Sequence, residues 1–233
     1  MPLKTPGKPN APPAKATFDA LPIPKWCING SGVYYRLHSI NRATGNPWPP
    51  VYFGRDERSR FDPAAGPGTL YVAETLAGAL LEIFDDMWGP AGDMTRSLTK
   101  TQLQEWFVTL VALPPFAVFD ARKNLSFIGT DMQLLSGAHV HSRAWATALA
   151  LHPAQIDGIC YSSRHDGTRY NLAMFDKAKR PAEQYDASLS PPALMHASRL
   201  IAPGSPINFG PPILLRDHSE LKMALIELAV AIL

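Results

Sequence analysis

The stretch Ser59–Glu82, SRFDPAAGPGTLYVAETLAGALLE, passes from loop to strand to helix and organises the chain around it. Arg60 and Asp62 lie in a segment rich in Pro and Gly that ends at Gly68. Thr69–Ala73 then alternates, with Leu70 and Val72 on one face and Tyr71 and Ala73 on the other. From Leu76 onward apolar residues recur at 76, 79, 80, 83, 84 and 87, the spacing of one helix face. At about 100° per residue, Glu82 points well over a right angle away from the middle of that stripe. A guanidinium, a phenol and a carboxylate are thus offered by three successive elements. Taken singly, each has a structural explanation: a loop Arg in solvent, a strand Tyr in packing, a Glu in water.

Length and composition bound the rest. A chain of 233 residues can bury one sizeable core, or one domain with tails. With 46% hydrophobic and 18% charged residues it reads as a soluble globular protein. A net charge of +2 gives no reason to expect a nucleic-acid partner. No apolar run reaches membrane-spanning length, and the N-terminus lacks the apolar core of a signal peptide, so no membrane association is expected. Cys27 and Cys160 are too few for a disulfide framework, and nothing near them has metal-ligand spacing. A reducing cytoplasm is the expected location.

Residues 1–25 carry seven Pro and scattered Lys, and read as a disordered or draped tail with order beginning near Trp26. Val33–His38 alternates like a strand, placing Val33, Tyr35 and Leu37 opposite Tyr34, Arg36 and His38. Val51–Gly54 reads as a short strand after a loop, and Gly89–Gly92 ends the helix begun at Leu76. Trp106–Leu113 is the strongest buried-strand pattern, with a further strand over Phe116–Asp120. Ser142–Leu151 predicts a helix, Ile156–Ser163 and Tyr170–Phe175 predict strands, and Leu194–Ile201 a last strand. Glu220–Leu233 reads as a helix apolar almost all round, hence buried against the domain or a second subunit, which leaves a homodimer open. Strands and helices do not alternate regularly, so the expected class is α+β with mixed or antiparallel sheets and flanking helices.

Several familiar sites are missing. There is no G-x-x-x-x-G-K-[ST], and Gly30-Ser31-Gly32 precedes a strand, unlike a dinucleotide fingerprint. His139 and His141 would fall on different faces of a helix, which argues against a metal pair. Ser163 and His165 lack the G-x-S-x-G context of a serine hydrolase.

Five pieces, in order over residues 33–176, together resemble the RES domain family, toxins of bacterial toxin–antitoxin pairs. They are Tyr35-Arg36-Leu37-His38, Ser59-Arg60-Phe61-Asp62, Leu70–Glu74 with Ala79–Glu82, Asp157–Ser163, and Asn171–Phe175. Phe61 and Asp62 stand where the family typically has Trp and Asn, and Ser162 where it has Pro. The resemblance implies a fold like the ADP-ribosyltransferases, breakdown of NAD+ as substrate with no bound cofactor, and a partner antitoxin of the Xre type. It also implies site residues: Arg60, Tyr71, Glu82 and Ser163, with Arg36 and Tyr35 as secondary members. The RES-like catalytic domain would then be residues 26–180, and 181–233 an extension with a strand and an apolar helix packed on the domain or a partner.

In this scheme Glu82 stabilises an oxocarbenium-like ribose or activates the acceptor, which is water or phosphate. Arg60 and Arg36 grip the pyrophosphate. Tyr71 stacks on or orients nicotinamide, and Ser163 donates a hydrogen bond. Two alternatives use the same residues: transfer of ADP-ribose to a protein, and a non-catalytic module that binds a nucleotide or a protein.

Overall fold

A computed structural model describes residues 11–28, 32–49, 53, 59–63, 67–88, 96–131, 133–163, 166–176, 184–185 and 207–233. Among these, one mixed sheet of ten strands forms the frame. Its strands are β1 (Trp26–Ile28), β2 (Val33–Ser39), β3 (Thr69–Ala73), β5 (Trp106–Ala112), β6 (Phe116–Asp120), β7 (Gly158–Ser162), β8 (Tyr170–Phe175), β9 (Gln184–Tyr185), β10 (Asn208–Phe209) and β11 (Ile213–Leu214). The order is β1-β6-β7-β8-β3-β2-β5-β10-β9, with β11 also on β5. Neighbours run antiparallel except β6–β7 and β10–β9. A small parallel pair joins β4 (Ser97–Leu98) to β12 (Ala231–Ile232). The expected α+β class with a mixed sheet is what the chain forms. Gly158 is required where β7 crosses β8, since a Cβ there would lie 2.5 Å from the carbonyl oxygen of Ala173.

Strand alternation divides the apolar residues between the two faces of the sheet. Leu70, Val72, Val118, Cys160, Leu172 and Met174 pack on one face with Ile207 and Phe209. The other face carries two separate blocks. Over the β6–β8 end lie α5 (His139–Ala150) and α1 (Lys15–Asp19), which bury Trp145, Leu149 and Phe18 against Phe119, Tyr161 and Phe175. Over β2 and β5 lie α2 (Leu76–Trp88), α3 (Lys100–Glu105) and α6 (Leu221–Glu227), with Leu80, Phe84, Leu103 and Leu225 packed on Leu37 and Val108. The helix α4 (Gln133–Ser136) leads into α5. No helix among the described residues is long and apolar enough to cross a membrane.

Several expectations need correction. Order begins well before Trp26: Phe18 sets its ring edge-on to Trp145 at 5.7 Å, and its carbonyl meets His152 Nε2 at 3.1 Å. Burying one such ring contributes roughly 2–3 kcal/mol, enough to hold a Pro-stiffened segment in place. The helix at the far end spans only Leu221–Glu227, since Ala229 takes a left-handed φ of 53° and turns the chain into β12. Within residues 207–233, β10 and β11 extend the main sheet from β5, and the helix packs on the domain. On α2 the buried arc is wider than the predicted stripe, taking in Ala77 and Leu81, while Ile83 turns out to solvent. The strands predicted over Val51–Gly54 and Leu194–Ile201, and the helix stop at Gly89–Gly92, fall essentially outside the described residues.

Candidate active site

The sheet is weakly joined at one seam. β2 meets β3 at the single pair Tyr35–Ala73, whereas β2 follows β5 from Val33 to Ser39 and β3 follows β8 along its whole length. Above this seam, between the two helical blocks, lies a cleft of about 360 Å³. That volume suits part or all of a small-molecule ligand. Tyr35, Arg36, Arg60, Tyr71 and Glu82 all line it, so five of the six residues singled out in the sequence converge. Ser163 does not line it: the residue is 3% exposed, its backbone N–H donating to the Arg169 carbonyl at 3.0 Å, and the neighbouring Ser162 faces the cleft instead.

Arg36 spans the seam, with Nη1 donating to the Tyr71 carbonyl at 3.1 Å. Arg60 sits on the loop between the blocks and is anchored from the far side. Its Nη1 donates to the Gly137 carbonyl at 2.8 Å, next to Ser142, whose hydroxyl donates to the Leu134 carbonyl at 2.6 Å. A guanidinium is a planar fork of five N–H donors, and this contact helps to orient it. The loop itself is set by Tyr71 and Asp62. The Tyr71 hydroxyl donates to Asp62 Oδ1 at 3.0 Å and accepts from the Phe61 N–H at 2.8 Å, while Asp62 Oδ2 accepts from the Ser59 N–H at 2.9 Å. Burial, and then the charge of Asp62, holds the Tyr71 phenol well above its ordinary pKa. Its hydroxyl is therefore committed to shaping the loop, which makes Tyr71 a positioning residue here.

Glu82 stands on the exposed side of α2, where the helix period places it, beside Ile83 at the cleft mouth. Opposite, Tyr161 is buried in the cleft wall, ring-to-ring with Phe61 at 4.8 Å. Burial pushes the Tyr161 phenol well above its usual range, the Glu82 carboxylate pushes it further, and Arg60 opposes both. The acid and the base thus act on one buried group from the same cavity. At the outer edge the Tyr35 hydroxyl donates to the Glu220 carboxylate, at 2.8 and 2.7 Å to its two oxygens. Burial, then Glu220, raises the Tyr35 pKa.

Ser162, Tyr161, His139 and Asn171 are among the lining residues that the sequence did not single out as site residues. Asn171 carried a usable signal, being a lone amide in the apolar strand Asn171–Phe175. It is 1% exposed, and among the described residues neither its side-chain nitrogen nor its oxygen has a hydrogen-bond partner. Among the described residues no cluster of three or more His, Cys, Asp or Glu could hold a metal ion. The cleft offers guanidinium groups suited to a polyanion and one carboxylate suited to a developing cation.

No curated protein matches the sequence. Among solved structures the fold is similar to a chain in the crystal structure of the M. tuberculosis MbcT–MbcA toxin–antitoxin complex. The TM-score is 0.50 at 15% identity, covering 80% of this chain and 96% of that one, a likeness of fold. The RES domain family profile matches residues 34–196, which hold Arg36, Arg60, Tyr71, Glu82, Ser163 and Asn171. The chain belongs to the RES domain family.

Proposed function

We propose that this protein is the toxin of a toxin–antitoxin pair and that it degrades NAD+ by cleaving the bond between nicotinamide and ribose. The observation that carries the proposal is the convergence of Arg36, Arg60 and Glu82 on one cleft at the seam of the sheet. Family membership and a neighbour solved as a toxin–antitoxin complex support the toxin role and a protein antitoxin. The Xre type of that antitoxin follows from the family resemblance alone.

The chemistry suits these residues. The nicotinamide ring nitrogen already carries a positive charge, so the bonding electrons leave with it and no general acid is needed. Positive charge then develops on the ribose, and the Glu82 carboxylate at the cleft mouth stabilises it. Water or phosphate adds to the same carbon. Where water is the acceptor, Glu82 takes the proton it loses. The two arginines hold the pyrophosphate and orient the ribose, converting binding energy into alignment.

Incubating the purified protein with NAD+, with and without phosphate, tests the proposal. Nicotinamide should appear together with ADP-ribose if water is the acceptor, or with a phosphorylated ADP-ribose if phosphate is. Intact NAD+ after prolonged incubation with folded protein, under both conditions, would end it.

A further inference from the structure

Among the described residues of the cleft, Asn171 is a buried side chain with both amide atoms unpartnered. Leaving a donor and an acceptor unmade in the protein interior is costly, and no described residue satisfies this amide. The residue stands in the middle of the sheet, with Tyr161 of β7 on one side and Ala73 of β3 on the other. Its Oδ1 lies near Gly78 of α2, 3.6 Å from where a Cβ would be. Gly78 therefore leaves room beside the amide that any side chain would reduce.

A primary amide presents a donor and an acceptor side by side. Its best complement is a group with the reverse pair, such as another primary amide. NAD+ has two such groups, the nicotinamide carboxamide and the amidine edge of adenine. Position in the cleft favours the first. Asn171 Oδ1 lies beside Gly78, one helical turn before Glu82 on α2, and both Asn171 and Glu82 line the cleft. That is the end of the cleft where the bond to nicotinamide would be broken.

We infer that Asn171 selects the carboxamide of the leaving group, its Nδ2 donating to the carboxamide oxygen and its Oδ1 accepting from the carboxamide nitrogen. The inference rests on the NAD+ reading above. Nicotinic acid adenine dinucleotide, with a carboxylate in place of the carboxamide, would set two acceptors against one another at Oδ1. A site built on such pairing rejects the mismatched analogue by far more than a shape difference would.

The test compares three dinucleotides on the full chain: NAD+, its nicotinic acid analogue, and its hypoxanthine analogue, altered only at the adenine. Wild type should prefer NAD+ over the nicotinic acid analogue in kcat/KM by about thirtyfold or more. In Asn171→Ala that preference should shrink by at least about tenfold, with the melting temperature unchanged or raised, since an unsatisfied amide is removed. Asn171→Ser supplies a second variant if the first fails to fold. A merely structural asparagine would lower the melting temperature and leave the preference intact, overturning the inference. A change confined to the hypoxanthine analogue would overturn it too, placing adenine at Asn171. The same three ligands are titrated by calorimetry in a Glu82→Gln background with and without Asn171→Ala. Binding without any turnover in wild type would defeat the NAD+-degrading reading while the binding preference still decides the role of Asn171. Absence of NAD+ binding defeats both.

Discussion

The Tyr71 phenol donates to Asp62 across 3.0 Å and accepts from the Phe61 N–H at 2.8 Å, so a strand residue dictates the shape of the loop that carries Arg60. Tyr71→Phe keeps the ring and removes both hydrogen bonds. Stability should fall by about 1–3 kcal/mol, because Asp62 and the Phe61 N–H lose a partner out of water. The KM for NAD+ should rise as Arg60 loses its fixed position. Denaturant melts and steady-state kinetics check both, and a variant unchanged in each would show that the loop is held by other contacts.

Glu82 is exposed on α2 and packs into no core, so charge can be removed there without unfolding. Glu82→Gln should cut NAD+ turnover by about two orders of magnitude or more, the size expected for a positioned catalytic group. The melting temperature should stay within experimental error. Wild-type rates in the folded variant would remove Glu82 from the mechanism.

Arg60 makes a structural contact that the sequence does not suggest. A solvated arginine in a Pro/Gly loop would contribute little to stability, yet Nη1 reaches the Gly137 carbonyl between α4 and α5. Arg60→Lys should weaken NAD+ binding because an ammonium cannot reproduce the planar fork. Arg60→Ala should weaken it further and also cost about 1 kcal/mol of stability. Calorimetric titration and thermal melts of the two variants separate these effects.

His38 gives a pH dependence. Its pKa is pushed down to about 4, first by burial and then by the Arg36 charge, while Nε2 lies 2.8 Å from Thr109 Oγ1. The folded-state value lies below the ordinary 6.5, so the unfolded chain takes up a proton that the folded chain refuses. This contribution is fully present above about pH 6.5 and declines as pH falls toward 4, by roughly 3 kcal/mol in all. His38→Gln should flatten the stability profile in that window. Equal slopes for both proteins would mean that His38 titrates normally.

Local pattern carried much of the frame. The strand predicted over Tyr170–Phe175 matches β8 from end to end, and the helical period from Leu76 places Glu82 at the cleft mouth. Features set by distant partners were not legible. Nothing near Arg60 announces Gly137, and nothing near Tyr35 announces Glu220. The helix α3 was overlooked although its Thr99–Gln102 capping box is written in the sequence. Near Ser162 and Ser163 the chain leaves β7, and strand alternation no longer says which hydroxyl faces the cleft. The far end misleads for another reason: a short helix followed by a short strand, both apolar, reads as one longer helix.

The seam between β2 and β3 is braced from outside the sheet. Glu220 holds Tyr35 on β2, and seven residues on Glu227 pairs with Arg169, which leads into β8. Arg169 also donates to Thr75 Oγ1 at 3.1 Å, at the entrance to α2. Because a ribosome delivers the chain from its N-terminal side, every described residue lining the cleft emerges before Glu220 and Glu227 do. The nascent polypeptide therefore passes through a stage in which the site is spelled out but not yet held at its working width.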